Sequence, residues 1–170
     1  MKPRFVDSFL YAAQGIRTAV REERNMRFHL CAAFYVYLFS LFYGFGKTEY
    51  ILITLMVCGV LALELVNSSL ERTVERPAPS RYRTAGVVKD MAAGAVLLSA
   101  IAALLVGVVI LFRPELWALL WGIVSHPAAL GLLALSLAVA AGFVFLGPAW
   151  VAERWDALRR RRLDRGRREK

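Results

Sequence analysis

Glu64, Asn67, Ser68, Glu71 and Glu75, all within the stretch ALELVNSSLERTVE, are the residues of this chain whose types and spacing best suit chemistry. On a helix that advances about 100° per residue they fall in one narrow stripe. The stripe ends a long apolar run, where an unpaired carboxylate costs roughly 2.5 to 3.5 kcal/mol on insertion scales. Such a stripe calls for a cation. Two carboxylates a turn or two apart can share divalent-metal and general-base duties, and Mg²⁺ favours a few carboxylates completed by phosphate oxygens. Lys89 and Asp90 open the third apolar run directly after a basic loop, where an ammonium group and unpaired helix N–H groups both suit an anion. A second acidic pair, Glu22 and Glu23, stands beside Arg24, Asn25 and Arg27. Together these groups outline phosphoryl transfer at a membrane surface. The chain contains neither GxxxxGK[ST] nor a kinase-type Gly-rich loop, so the common nucleotide-binding designs are excluded. A plainer alternative pairs Glu71 and Glu75 with Arg72, Arg76 or Lys89 as a solvated helix end, but it leaves Glu64 and Asn67 unexplained.

The elements that must position these residues are membrane helices. The chain has 170 residues, is 58% hydrophobic and carries net charge +9, with a mean hydropathy of +0.51. That is too apolar for an ordinary small soluble domain and too short for several domains. Residues 91–112 contain no charge, and residues 116–152 contain none apart from His126. Each exceeds the roughly 20 residues that cross a bilayer. Residues 28–46 are apolar and aromatic apart from His29, and a span beginning at Tyr50 must include Glu64 to reach full length. The pattern predicts an all-α membrane protein with spans at about 28–46, 50–75 and 87–112, an additional membrane segment over 114–152, and an Arg-rich tail over 153–170.

Charge fixes the orientation. Of the 22 Lys and Arg residues, six precede Phe28, five lie between Arg72 and Lys89, and nine follow Glu153. With four spans these three groups share one side, which the positive-inside rule assigns to the cytoplasm. Both termini are then cytoplasmic, and the segment 115–124, rich in Trp and Leu, leads into the fourth span as an interfacial piece. The mixed-charge amino terminus does not read as a secretory leader, so the first span directs insertion. Residues 4–26 form an amphipathic helix on the membrane surface, with Phe5, Phe9, Ala12, Ile16 and Val20 on its apolar face and Arg4, Ser8, Tyr11, Thr18 and Glu22 on another. Cys31 and Cys58 lie within spans without metal-type spacing and are expected to be free thiols. His29 and His126 fall on opposite sides, so no shared metal site is expected. The tail Arg159-Arg160-Arg161-Arg162 is expected to bind anionic lipid rather than nucleic acid.

Three ordered segments, FLYAAQGIRTAVREERNMRFHL, LALELVNSSLERTVE and KDMAAGAVLLSAI, resemble the successive signatures of the prokaryotic diacylglycerol kinase family, which also contains the undecaprenol kinases. The resemblance runs from about Arg4 to Phe112. It implies a lipid kinase domain over residues 1–113 with a surface helix and a three-span core, to which this chain adds a fourth transmembrane helix. It also implies a homotrimer in the bacterial inner membrane, with active sites shared between protomers, that uses MgATP to phosphorylate a lipid alcohol at the cytoplasmic interface.

Carried over position by position, the resemblance makes Glu64 the general base toward the lipid hydroxyl, with Asn67 holding the catalytic geometry. Glu23 and Glu71 become ligands of the Mg²⁺ that bridges ATP phosphates. Lys89 and Asp90 contact the nucleotide, and Arg4 and Tyr11 approach it from the surface helix. Helical phase alone would not choose Glu23 over Glu22; the family's spacing to Arg27 does. The chain departs from the family at Ser80-Arg81-Tyr82-Arg83, where many members carry an acidic residue followed by Tyr-His, at Glu75, often Asp, and in its fourth span and tail. The wording EERNMR and AAGAVL is closer to the undecaprenol kinase branch than to the enterobacterial diacylglycerol kinases. Two other classes fit the composition: a small ion- or proton-conducting subunit, since intramembrane Glu and Asn also line ion paths, and a catalytically silent membrane assembly protein.

Overall fold

The computed structural model describes residues 5–74 and 81–168, with side chains as far as residue 148. Arg4, Glu75, Ser80 and the side chains of the Arg-rich tail lie outside the described residues. All the described elements are helices: α1 (Phe5–Glu22), α2 (Arg24–Ser40), α3 (Lys47–Val74), α4 (Tyr82–Leu111), α5 (Pro114–Ser125) and α6 (Pro127–Arg168). The all-α architecture expected from the hydropathy pattern is therefore present.

Burial is inverted relative to a water-soluble domain. Arg27, Glu64, Asn67 and Ser68 are buried, whereas Leu98 and Val109 are 71% and 77% exposed. In water that distribution would be untenable; in hydrocarbon it is the stable one, because lipid covers the apolar faces and the protein must satisfy its own polar groups. Among the described residues three helices are long and apolar enough to cross a membrane: α3, α4, and the Pro127–Pro148 part of α6. The sequence pattern predicts a further span over residues 28–46, but α2 ends at Ser40 after 17 residues. Those residues rise about 26 Å, slightly less than a typical hydrocarbon core. Beyond Ser40 the chain breaks into a turn that closes at Gly44, whose φ of 59° suits a residue without Cβ.

Local chemistry explains where the helices begin and end. Glu49, at the third position of α3, accepts a 2.6 Å hydrogen bond from the Gly46 N–H ahead of the helix, one half of a capping box. The same carboxylate pairs with Arg113, which ties the start of α3 to the far end of α4. Tyr43, Phe45, Ile53 and Ile110 form an apolar cluster at that end. α3 and α4 pack along their length, and at Gly59 a Cβ would stand 3.8 Å from the Ser99 hydroxyl, the small-residue contact typical of membrane helix pairs. Pro114 starts α5, and His126, held extended by the following Pro127, separates it from α6. Trp117 and Trp121 on α5 are exposed, in keeping with a segment at the membrane interface.

α6 is broken at Gly147, where φ is 70° and ψ is 165°, immediately before Pro148. Its first part runs antiparallel to α2. Arg24 lies over the Phe145 ring at 6.0 Å, Arg27 reaches the Val144 carbonyl, and Tyr35 donates to the Ser136 hydroxyl at 3.1 Å. The Pro127–Pro148 part of α6 is thus docked on α2 along its length.

Candidate active site

The polar stripe lies on the face of α3 turned into the protein. Glu64 is 2% exposed, and Asn67 and Ser68 are 6% exposed each. Glu71 is half-buried one turn further along. The Asn67 side-chain amide donates a long, 3.4 Å hydrogen bond to Glu71 Oε1. Its carbonyl oxygen, Oδ1, is buried without a hydrogen-bond partner among the described residues. A buried acceptor left unpaired costs about 1 to 3 kcal/mol, so the fold carries this oxygen at a penalty.

Glu23 reaches the stripe because the chain turns there. It sits between α1 and α2 with φ −96° and ψ 120°, outside the helical region, and the turn aims its carboxylate across to α3. Arg72 NH2 bridges Glu23 Oε1 at 2.9 Å and Glu22 Oε2 at 3.1 Å. Arg72 therefore serves the elbow rather than Glu71, its neighbour in sequence, as helix geometry requires of adjacent residues that point apart. Glu23 and Glu71 both lie close enough to Glu64 to act on it electrostatically. One carboxylate from the elbow and one from two turns further along α3 thus act on the same buried carboxylate.

Two openings flank this stripe. On the α1 side, Tyr11, Gln14, Thr18, Ser68, Ser69 and Arg72 contribute polar lining to a cleft of about 620 Å³. On the α4 side, Asn67 is the polar group in an otherwise apolar groove of about 330 Å³, between Leu63, Val66 and Leu70 of α3 and Val88, Met91 and Ala92 of α4. Lys89 is half-buried and Asp90 exposed on the first turns of α4. Neither forms an ion pair with Glu23 or Glu71 among the described residues. The structure brings Glu23, Glu64, Asn67 and Glu71 together, places Tyr11 in the α1-side cleft, and puts Lys89 and Asp90 on α4, where they line neither opening. Among the described residues no cluster of three or more His, Cys, Asp or Glu side chains is arranged to hold a metal ion.

The family model described as prokaryotic diacylglycerol kinase matches residues 10–111, more than half of the chain. The chain belongs to the prokaryotic diacylglycerol kinase family. It is 36% identical over 113 residues to the undecaprenol kinase of Bacillus subtilis, covering 66% of this chain and 91% of that protein. It is 36% identical over 115 residues to a diacylglycerol kinase of Synechocystis, covering 67% of this chain and 66% of the relative. A diacylglycerol kinase of Haemophilus influenzae is 34% identical over 104 residues, 61% of this chain and 86% of the relative. No solved structure matches the chain. As a diacylglycerol kinase family member the protein is a lipid kinase, and the match ends where α4 ends, so α5 and α6 lie outside the family's common region.

Two residues of this lipid kinase's site are not apparent from sequence pattern. Arg72 reads as one of several cations near the stripe, and only the turn at Glu23 selects it. Arg27 reads as a spacing marker, yet it is 6% exposed and donates to three backbone carbonyls. The available signal was its position: an arginine four residues after Glu23, in the first turn of a membrane helix, must find acceptors within the protein.

Proposed function

We propose that this lipid kinase transfers the γ-phosphoryl group of ATP, with Mg²⁺, to the hydroxyl of a membrane lipid alcohol at the cytoplasmic face of a bacterial inner membrane. The observation that carries the proposal is the convergence of Glu23, Glu64 and Glu71 beside the unpartnered Asn67 oxygen, at the head of an apolar groove. The groove suits a hydrocarbon body, and Asn67, its polar group, marks the end at which the lipid hydroxyl is held with its proton toward Glu64. Glu64 removes that proton as the lipid oxygen forms its bond to phosphorus and the bond to the departing ADP oxygen breaks.

Glu23 and Glu71 are the residues that would hold Mg²⁺. Two hard carboxylate oxygens from different elements fit an ion that is usually held by one or two carboxylates and completes its shell with phosphate and water. When bound, the ion offsets charge on the nucleotide phosphates. The α1-side cleft, with Tyr11 and Arg72 in its lining, is the proposed entry for ATP. In the proposed homotrimer, Lys89 and Asp90, which form no ion pair with Glu23 among the described residues, reach the nucleotide bound at a neighbouring protomer's site. The distribution of Lys and Arg supports cytoplasmic termini, with the kinase domain over residues 1–113 and the fourth span as an addition to it.

Undecaprenol is the proposed acceptor ahead of diacylglycerol, because the relative matched over nine-tenths of its length is an undecaprenol kinase. The test is phosphate transfer by the purified protein in lipid vesicles, with ATP and Mg²⁺ and each alcohol supplied in turn. Transfer that requires both Mg²⁺ and a lipid alcohol is expected, faster with undecaprenol. ATP consumption without an alcohol, or none with either, would overturn the proposal.

A further inference from the structure

The fourth membrane segment is absent from the family's common region, yet it makes an unusually specific contact with it. Arg27, in the first turn of α2, is 6% exposed. Its Nε donates to the Val144 carbonyl at 3.1 Å, and its NH1 donates to the Val20 and Arg21 carbonyls at 3.2 and 3.0 Å. Val20 and Arg21 are in the last turn of α1, and Val144 is in the last turn of α6 before its break. Each helix C-terminus carries roughly half a negative charge, so two of them pointing at one guanidinium compensate about its full charge without a carboxylate.

The break in α6 is shaped for that guanidinium. Pro148 has no N–H, so the helical bond that residue 148 would otherwise give to Val144 cannot form, and the carbonyl is free for Arg27. Gly147 takes φ 70°, and a Cβ there would lie 3.1 Å from Arg27 Cζ and 3.3 Å from each terminal nitrogen. Glycine is needed twice over, for backbone conformation and for room. Arg24, one turn before Arg27, lies over the Phe145 ring of the same segment.

Arg27 is also attached to the elbow that carries Glu22 and Glu23. Two of the three carbonyls it holds belong to α1, which ends at that elbow, and the third to α6, and Glu23 N donates to Ala19 O at 2.8 Å within the same turn. We propose that Arg27 is a positioning residue, and that its guanidinium, seated in the Gly147–Pro148 break, makes the fourth membrane segment a brace that holds Glu23 against α3. The inference rests on the proposed role of Glu23 as a metal ligand.

The test uses the full chain in lipid vesicles with two variants outside the site. Pro148→Ala restores an N–H that competes for the Val144 carbonyl, and Gly147→Ala places a methyl group against the guanidinium. Two quantities are measured: amide hydrogen exchange over residues 19–27, and the Mg²⁺ dependence of lipid phosphorylation. Exchange at the elbow is expected to accelerate by roughly tenfold, since loss of the brace lowers the cost of local opening. The Mg²⁺ concentration for half-maximal rate is expected to rise by roughly threefold or more, with the rate at saturating Mg²⁺ within about a factor of two of the parent. A purely structural role would lower the rate in proportion to folded protein and leave the Mg²⁺ midpoint alone. Unchanged elbow exchange in Pro148→Ala, which needs no new atoms in the junction, overturns the brace. So does faster exchange with an unchanged midpoint where Glu23→Gln itself shifts that midpoint. Glu23→Gln, run alongside, separates the two ideas: a parent-like Mg²⁺ midpoint there removes Glu23 as ligand, while the exchange measurement still decides the brace.

Discussion

Asn67→Leu should make the protein more stable and nearly inactive. Asn67 is 6% exposed, its Oδ1 is buried without a partner, and its amide group makes one hydrogen bond to Glu71 at 3.4 Å. Leucine has a similar volume and fits the walls formed by Leu63, Val66, Leu70 and Val88. The substitution removes an orphan acceptor whose burial costs about 1 to 3 kcal/mol, and it forfeits a hydrogen bond at the long end of the accepted range, worth about 0.5 to 1.5 kcal/mol. The balance is a gain of about 1 kcal/mol, close to a fivefold shift in the folded-to-unfolded ratio.

Turnover moves the other way. Leaving the lipid hydroxyl buried without its Asn67 partner costs about 1 to 3 kcal/mol, a loss of roughly 5- to 150-fold. Thermal or denaturant unfolding in detergent, read beside phosphate transfer on the same preparation, checks both signs together. A variant that is less stable than the parent would mean that Oδ1 has a partner in the folded protein. A more stable variant with parental turnover would remove Asn67 from the reaction.

Glu64→Gln should keep the fold, because it deletes a charge that Glu23 and Glu71 both oppose, while abolishing lipid phosphorylation; near-normal turnover of the purified variant would remove the base assignment. Glu71→Gln should raise the Mg²⁺ concentration needed for half-maximal rate, and an unchanged titration would count against its role as ligand. Arg72→Met should act in the opposite direction, lowering the Mg²⁺ requirement by releasing Glu22 and Glu23, whereas its effect on stability stays under about 1 kcal/mol because these ion pairs are substantially exposed to solvent. If Arg72→Met and Glu71→Gln shift the titration the same way, the electrostatic account of the site fails.

Much of the architecture is legible in the sequence because hydropathy and helical phase are local properties. The charge-free run over residues 91–112 falls on α4 and that over 116–152 on α5 and α6, divided at His126, and the phase of Glu64, Asn67 and Ser68 puts them on one buried face that half-buried Glu71 continues. The end of α2 at Ser40 was not legible, since residues 41–46 are as apolar and aromatic as the helix before them, and Gly44 acts through a positive φ that composition does not announce. Arg72 and Arg27 were hidden for a different reason. Their partners lie 49 and 117 residues away, at Glu23 and Val144, and both depend on breaks in helices rather than on periodicity. Pro148 was visible as a helix breaker, but what an unpaired carbonyl at Val144 would be used for depends on which helix packs against it.

The same breaks account for the charge balance on which the proposed chemistry depends. Glu22, Glu23, Glu64 and Glu71 bring four carboxylates to one region, and among the described residues Arg72 is the cation that pairs with two of them, Glu22 and Glu23. Arg27 is a second cation only a few residues from Glu23, but its hydrogen bonds go to carbonyls of α1 and α6. Had Val144 been satisfied within an unbroken α6, that guanidinium would have been free to seek Glu23 and neutralise the elbow. By directing Arg27 to helix ends, the Gly147–Pro148 break leaves the carboxylates with an excess of negative charge. A nucleotide triphosphate is itself strongly anionic and is repelled from such a region until a divalent cation enters between them. The requirement for Mg²⁺ in the proposed reaction then follows from where the chain sends its arginines as much as from where it places its glutamates.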